Sequence, residues 1–434
     1  MTATSKPTMS RIALQLPNDT ERRCLINVER AERLMTERGV EALIAAQPVN
    51  VYYLTNFWTI LQKMGFDHAS LAMLPRGRPE ERALIVSSAQ IWQVANATLD
   101  YPSNIIAYTA PADWQRNAAS DWQGAPALPW PMQSADLLGP IEAAWSAIST
   151  RIATREAASS AHGLARALRQ AGLANARVAS DDPRVEDVLR AAGLEHIEVL
   201  CDPNLFRHLR VVKSEPEINL MRIAARMNAD ACRAMVQTIQ PGMRNRELEA
   251  MFAVEVARRG GESIFLAVGS TGGLPHGEIR RGEPCIIDAV AHYRQYRGDF
   301  GRTVMVGEPD AETRRRVEAL RVGWQASFEA LKPGKRYSEI REAGLSAMRR
   351  SGYGSYLTVA NPHSVGLQHT DEPFRDDVGF AIKDDIVLEE NMTLTVDFPH
   401  IEIGWGACHL EDLVRITKVG AEPLDRTDEP LLIA

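Results

Sequence analysis

The sequence predicts an α/β fold in two domains, a smaller amino-terminal one and a carboxy-terminal one made of two related halves. Three observations carry this. At 434 residues the chain is roughly two to three times the usual domain length. Short apolar runs alternate with segments of helical period through the first half. A Pro-Gly turn followed by a helix-period segment occurs twice, at Pro241-Gly242 and Pro333-Gly334, 92 residues apart.

Composition narrows the function classes. The chain is 45% hydrophobic and 24% charged, the balance of a globular protein with a sizeable core. A net charge of -7 argues against nucleic acid as a partner, since such binders present a basic face. No apolar run reaches the ~20 residues that cross a bilayer, so no membrane role is expected. Met1–Pro17 is polar and mixed, unlike a secretory leader. Five cysteines are scattered without CxxC spacing, which indicates neither a disulfide framework nor a thiolate zinc site. A reducing, cytoplasmic location is expected.

The elements follow in order. Residues 1–20 read as a tail, and 21–212 as the first domain. Cys24 to Gly39 has helical period and ends in a glycine stop. EALIAAQPVNVYYLTNF reads as a strand, a Pro-Val-Asn turn and a second short apolar element. Ser70–Leu74 and Arg82–Val86 are strand candidates, and Ala110–Pro131, with Trp114, Trp122 and Trp130, reads as a surface insertion. A long helix is expected from Ile141 to about Gly172, then a strand at VASDD and a helix–strand pair to Leu200.

The second domain, 213–434, opens on a capping box: Ser214 at the cap, Glu217 three residues on, Pro216 in the first turn. After it, PGMRNRELEAMFAVEVARRGG and PGKRYSEIREAGLSAMRRSGYG share one order, turn, helix, Gly-rich stop and strands, which predicts a pseudo-twofold domain.

Each half then carries a hairpin with two acids. Pro284–Tyr293 and Tyr296–Val306 read as strands, and a turn centred between Tyr293 and Arg294 would set Asp288 directly opposite Asp299. In the second half Asp397 and Glu411 are equidistant from Gly404, inside a turn, and are expected as cross-strand partners. Facing carboxylates ~5 Å apart repel unless a proton or a cation lies between them. Two such pairs point to divalent metal, held by oxygen donors and an imidazole. Between the hairpins lies NPHSVGLQHTDEP, which supplies His363 and His369; six of ten histidines fall between His276 and His409.

The order Asp288, Asp299, His363, Asp397, Glu411 resembles the metal positions of the pita-bread metallohydrolases, which include methionine aminopeptidase, aminopeptidase P, prolidase and creatinase. IIDAVAHYRQYRGDFGRT is similar to the family's two-aspartate block, with Arg302 in the Arg place, HSVGLQHTDEP to its His block, and TVDFP…LED to its two Glu blocks. GSTGGLPHGE resembles the segment of the substrate-facing histidine, here His276, and NVERAERLM…VYYLTNF resembles the creatinase/prolidase amino domain. The resemblance implies a small creatinase-like α/β domain followed by a pseudo-twofold pita-bread α+β domain. It also implies two divalent ions on the five ligands (manganese first, with iron, cobalt or zinc as alternatives), a small-molecule or short-peptide substrate, and a homodimer.

The departures from the family fall in the substrate shell. Asp397 stands where the family has Glu, Phe398 replaces a Pro, and His409 stands where many members have Arg. The peptidases' second histidine, seven residues after the metal His, is here Thr370, with His369 at six. Either His369 reaches the scissile group, or Thr370 takes that place and His369 turns aside toward Asp371 or Glu372; proton transfer favours His369. The resemblance implies an Xaa-Pro dipeptidase or aminopeptidase-like hydrolase, with His276, His369 and Asp397 in catalysis. The alternatives are a non-peptidase of the same fold, such as a dimethylsulfoniopropionate lyase or a small-molecule amidohydrolase, or a binding module.

Overall fold

The computed structural model describes residues 24–434 except 67, 97–103, 109–137, positions within 141–155, 270–276, 357, 376–381 and 426–428. The tail and the whole Trp-rich insertion therefore lie outside the described residues, as does His276.

The first α/β unit begins with α1 (Val28–Arg38), whose Asn27 side chain caps the Arg30 amide and whose end is the left-handed Gly39. It continues through β1 (Ala42–Ala45), α2 (Pro48–Thr55), β2 (Ser70–Pro75), β3 (Ala83–Ser87), α3 (Ile91–Asn96) and β4 (Asn104–Tyr108). Then come α4 (Ser160–Gln170), β5 (Arg177–Ser180), α5 (Val185–Ala191) and β6 (Glu198–Cys201). The six strands lie in the order β4-β3-β2-β1-β5-β6. Leu43 and Ala45 face one apolar cluster, Ala42 and Ile44 the other, so the sheet is buried on both faces.

Two expectations fail here. Pro48-Val49-Asn50 is no turn: Pro48 is the first residue of α2. Its fixed φ suits that position, and the Asp181 carboxylate accepts from the Ala46 and Gln47 amides and from Asn50 Nδ2 at 2.6–3.1 Å. The long helix to Gly172 is also interrupted. Ala157 bridges to Tyr108 as a strand residue, and Ser159 caps a new helix by accepting from the His162 amide.

A short connecting helix, α6 (Pro203–Arg210), leads to α7 (Glu215–Val236), which opens on the capping box at Ser214 and Glu217. The rest is α8 (Asn245–Arg258), β7 (Glu262–Gly269), β8 (Cys285–Tyr293), β9 (Tyr296–Met305), α9 (Ala311–Ala330), α10 (Tyr337–Arg350), β10 (Asn361–Ser364), β11 (Thr393–Glu402), β12 (Gly406–Asp412), β13 (Val414–Ile416), β14 (Ala421–Pro423) and β15 (Leu431–Ile433). The sheet runs β14-β13-β11-β12-β9-β8-β7, with β10 on β11 and β15 on β9. The 92-residue offset recurs in detail. Gly242 and Gly334 have φ 89 and 87, and Gly260 and Gly352 have φ 82 and 83. Glu247 and Glu339 each fold back on the amide of a capping arginine, Arg244 or Arg336. One apolar cluster joins the two units: Leu43, Tyr53 and Leu209 pack in it with Met221, Tyr296 and Val365.

Candidate metal centre

The β8–β9 hairpin closes one residue later than its sequence suggests. Tyr293 pairs with Tyr296, and the turn residues Arg294 and Gln295 both have positive φ, 47 and 68, as a two-residue turn with the strands' own twist requires. Asp288 therefore faces Gly301, and Asp299 faces Val290. The two aspartates are diagonal neighbours, not direct partners. The register differs by two, an even number, so both acids still point to one face.

The second hairpin has the expected register: Phe398 pairs with Leu410, which brings Asp397 next to Glu411. Strand β12 also pairs with β9, Glu411 opposite Gly301. One row thus crosses the sheet through Asp288, Gly301, Glu411 and Asp397, and Asn361 on β10 extends it. Two residues along, His363 on β10 and His409 on β12 share that face. Gly301 is required there, because a Cβ would overlap the His409 ring and the Glu411 Cβ.

The donors converge. His363 Nε2 lies 3.3 Å from Asp397, 3.5 Å from Glu411 and 3.8 Å from Asp299. His409 Nε2 is 3.3 Å from Asp397 and 3.6 Å from Glu411, and His369 Nδ1 is 3.4 Å from Asp299. His363 Nδ1 lies 3.1 Å from the His369 carbonyl, a contact that leaves Nε2 for the cluster. Three overlapping sets have donor atoms within 4.8 Å of one another: Asp299, His363 and His369; Asp288, His409 and Glu411; His363, Asp397 and Glu411.

The electrostatics are those of a cation site. Burial pushes Asp299 and Glu411 well above the usual carboxylate range, and raises Asp288. Burial also works to raise Asp397, but its bonds with His363, His409 and Glu411 outweigh that and hold it well below. Burial depresses His363, yet Asp397 brings it up to about 9, and His409 is raised in the same way. Burial, with His363 adding its charge, takes His369 down to about 4. Among the described residues, Asp288 Oδ1, both Asp299 oxygens, Glu411 Oε1 and His369 Nδ1 are buried with no hydrogen-bond partner. Lone pairs left so, on hard oxygens beside imidazoles, fit first-row divalent ions.

Of the residues singled out in the sequence, Asp288, Asp299, His363, His369, Asp397 and Glu411 come together, and His276 lies outside the described residues. Thr370 does not join them; its carbonyl accepts from Arg207 Nη1 at 2.8 Å. His369 does not turn aside: Asp371 pairs with Arg210, and Glu372 accepts from the Ser364 amide. Arg302 sits behind the row, bonded to Asp412 at 2.6 Å and to the carbonyls of Gly301 and Glu411, tying β9 to β12. His409 was noted in the sequence only as a departure. Its signal was its position two residues before Glu411 on a strand, hence on the same face.

Residues 219–418 match metallopeptidase family M24, and 27–175 match the creatinase/prolidase N-terminal domain. The Xaa-Pro dipeptidase of Pyrococcus furiosus is 31% identical over 258 residues, 57% of this chain and 72% of that protein. The chain belongs to metallopeptidase family M24. This M24 chain is also 29% identical to the Xaa-Pro dipeptidase of Pyrococcus horikoshii, over 57% of this chain and 71% of that one. An X-Pro aminopeptidase structure from Thermotoga maritima has the same fold, with a TM-score of 0.65 and 19% identity over 94% of this chain and 99% of that one. M24 membership makes the chain a metal-dependent, peptidase-like hydrolase and implies divalent metal ions. Among the described residues, no helix is long and apolar enough to cross a membrane.

Proposed function

We propose that this M24 chain hydrolyses the amide bond of short Xaa-Pro peptides, with two divalent ions, manganese first, held by Asp288, Asp299, His363, Asp397 and Glu411. The observation that carries the reading is the row of donors on one sheet face, with buried oxygens that no group among the described residues satisfies. The printed names of the similar proteins, Xaa-Pro dipeptidases, support the substrate class. Bound divalent ions supply Lewis acidity, polarising a carbonyl and lowering the pKa of water.

The chain's own side chains do the rest. Asp397, half-buried between two imidazoles, is positioned to accept and pass on a proton. The His369 side chain is 36% exposed, against 2% for His363 and His409, so its ring is the imidazole of the cluster that substrate reaches from solvent. Neutral while its value is near 4, it takes up the proton that Asp397 passes on and delivers it to the leaving nitrogen. Phe265 meets it edge-on at 5.5 Å between ring centres and limits its tilt. His276, which follows β7 in the sequence, binds substrate. A homodimer in the cytoplasm belongs to the same proposal.

A second reading, a lyase or small-molecule amidohydrolase on the same ions, draws on His409. That imidazole adds a donor between Asp397 and Glu411, beside an acid one methylene shorter than the family's. One panel separates the two: Ala-Pro and Gly-Pro against dimethylsulfoniopropionate and creatine-like compounds, with manganese, cobalt, zinc and iron in turn. Turnover of the dipeptides is expected; turnover confined to the other compounds overturns the peptidase reading.

A further inference from the structure

The connecting helix α6 presents a polar residue every third position to one loop. Asn204 Nδ2 donates to the Phe374 carbonyl at 2.8 Å, and its Oδ1 accepts from the Phe374 amide at 2.9 Å. Arg207 Nη1 donates to the carbonyls of Thr370 and Glu372 at 2.8 and 3.0 Å, and its guanidinium lies over the Phe374 ring. Arg210 places Nε and Nη2 on the same oxygen of Asp371, at 3.1 and 2.6 Å, and Nη2 also reaches Gln368 Oε1 at 2.8 Å. Three residues further on, Lys213 Nζ stands 3.6 Å from the other Asp371 oxygen. Spacing of three keeps Asn204, Arg207 and Arg210 on one side of α6, and Lys213 follows just beyond its end. The loop they hold, Gly366–Phe374, is the one that carries His369.

The grip extends into the amino-terminal unit. Arg210 Nη1 donates to Asn50 Oδ1, and Asn50 Nδ2 in turn donates to Asp181 at 2.6 Å. A hydrogen-bonded chain thus runs Asp181, Asn50, Arg210, Asp371, with every member buried. Gly366 closes the other end. A Cβ there would overlap an Asp371 oxygen and press on Lys213, while its carbonyl accepts from the Arg297 amide on β9 at 2.9 Å. The loop is therefore fixed to both sheets, and His369, two residues before Asp371, is the loop residue that joins the donor groups found among the described residues.

We infer that Arg210 is a positioning residue: through Asp371 and Gln368 it sets the loop that holds His369 against the donor cluster, and Asn50 makes the amino-terminal unit part of that support. The inference rests on His369 being the proton-transfer residue. A charge pair buried this deeply costs much to desolvate, and a fixed registry is the best-attested return on that cost.

The test uses the full, metal-loaded chain with Arg210→Met, His369→Ala and the double variant, assayed on Ala-Pro, with metal content and hydrogen exchange of residues 365–374 measured alongside. Arg210→Met is expected to speed exchange in that loop by roughly tenfold or more while the α7 amides keep their protection. It should lower kcat about tenfold with KM within about threefold and metal content unchanged, and add less than about threefold in the His369→Ala background, because coupled sites are not additive. An equal loss of kcat in both backgrounds, or unchanged loop exchange, overturns the inference. If His369→Ala alone leaves turnover intact, the proton-transfer reading has failed, and the exchange rates judge the support by themselves. Should Arg210→Met not fold, Arg210→Met/Asp371→Asn removes both charges together, and Gln368→Ala cuts the outer contact alone; the same exchange criterion applies to each.

Discussion

Gly301 and Glu411 face each other across β9 and β12, and the space above the glycine is filled by the acid's own Cβ and the His409 ring. The most acid-rich row of the sheet is built around a residue with no side chain. Gly301→Ala should overpack this point, costing about 1–3 kcal/mol of stability. Displacing the donors should also weaken metal binding by roughly 10–100-fold. Equilibrium dialysis against manganese measures the second effect; unchanged uptake by a folded Gly301→Ala protein would refute it.

Metal stoichiometry follows from the unsatisfied oxygens of Asp288, Asp299 and Glu411. The purified chain should take up close to two divalent ions, by elemental analysis. Asp299, with two orphaned oxygens, should matter to both ions, so Asp299→Ala should lose metal and activity together. Full turnover by chelated protein would count decisively against this.

His369 and Thr370 offer a direct contrast, since the ring of the first meets Asp299 while the second contributes a carbonyl to Arg207. His369→Ala should lower kcat by roughly 10²–10⁴ with both ions retained, the usual share of acid–base catalysis. Thr370→Ala should stay near wild type. The opposite pattern would transfer the role to Thr370.

Away from the cluster, burial pushes Glu217 up to about 7, although Lys213, the Ser214 amide and the Tyr296 hydroxyl pull it back. Its folded value lies above the ordinary 4.5, so the folded chain holds the proton more tightly than the unfolded chain. The resulting stability is complete below about 4.5 and is lost as pH rises through about 7, on the order of 3 kcal/mol in all. Glu217→Gln keeps the capping box and removes the titration. Urea unfolding at about pH 5 and about pH 8 should show the wild type losing more stability than Glu217→Gln; parallel behaviour would sink the idea.

Much of this architecture was legible because the signals were local. Ser214 and Gly39 mark helix ends by their own hydrogen bonds and φ, whereas the first helix opens at Val28 after the cap Asn27, four residues later than its apolar period suggests. Helix α2 was not legible: Asn50 to Thr55 are all buried, so no amphipathic period distinguishes it from a strand. The acids' shared face was readable from a period of two, whereas their register was set by Arg294 and Gln295. Those residues adopt positive φ without the Asn-Gly or Gly that would announce it. His409 was visible by the same period of two, and the α6 contacts were not, since Arg210 and Asp371 are 161 residues apart.

That hairpin turn also decides which changes the chain can absorb over many generations. Replacing Arg294 or Gln295 by Asn or Gly suits positive φ and leaves the strands untouched. Inserting or deleting a single residue between Tyr293 and Tyr296 would turn β9 over, sending Asp299 toward the helices and Phe300 among the carboxylates. At this turn spelling is free and length is not, so drift can rewrite the loop while the clustered acids stay in place only if the count of letters holds.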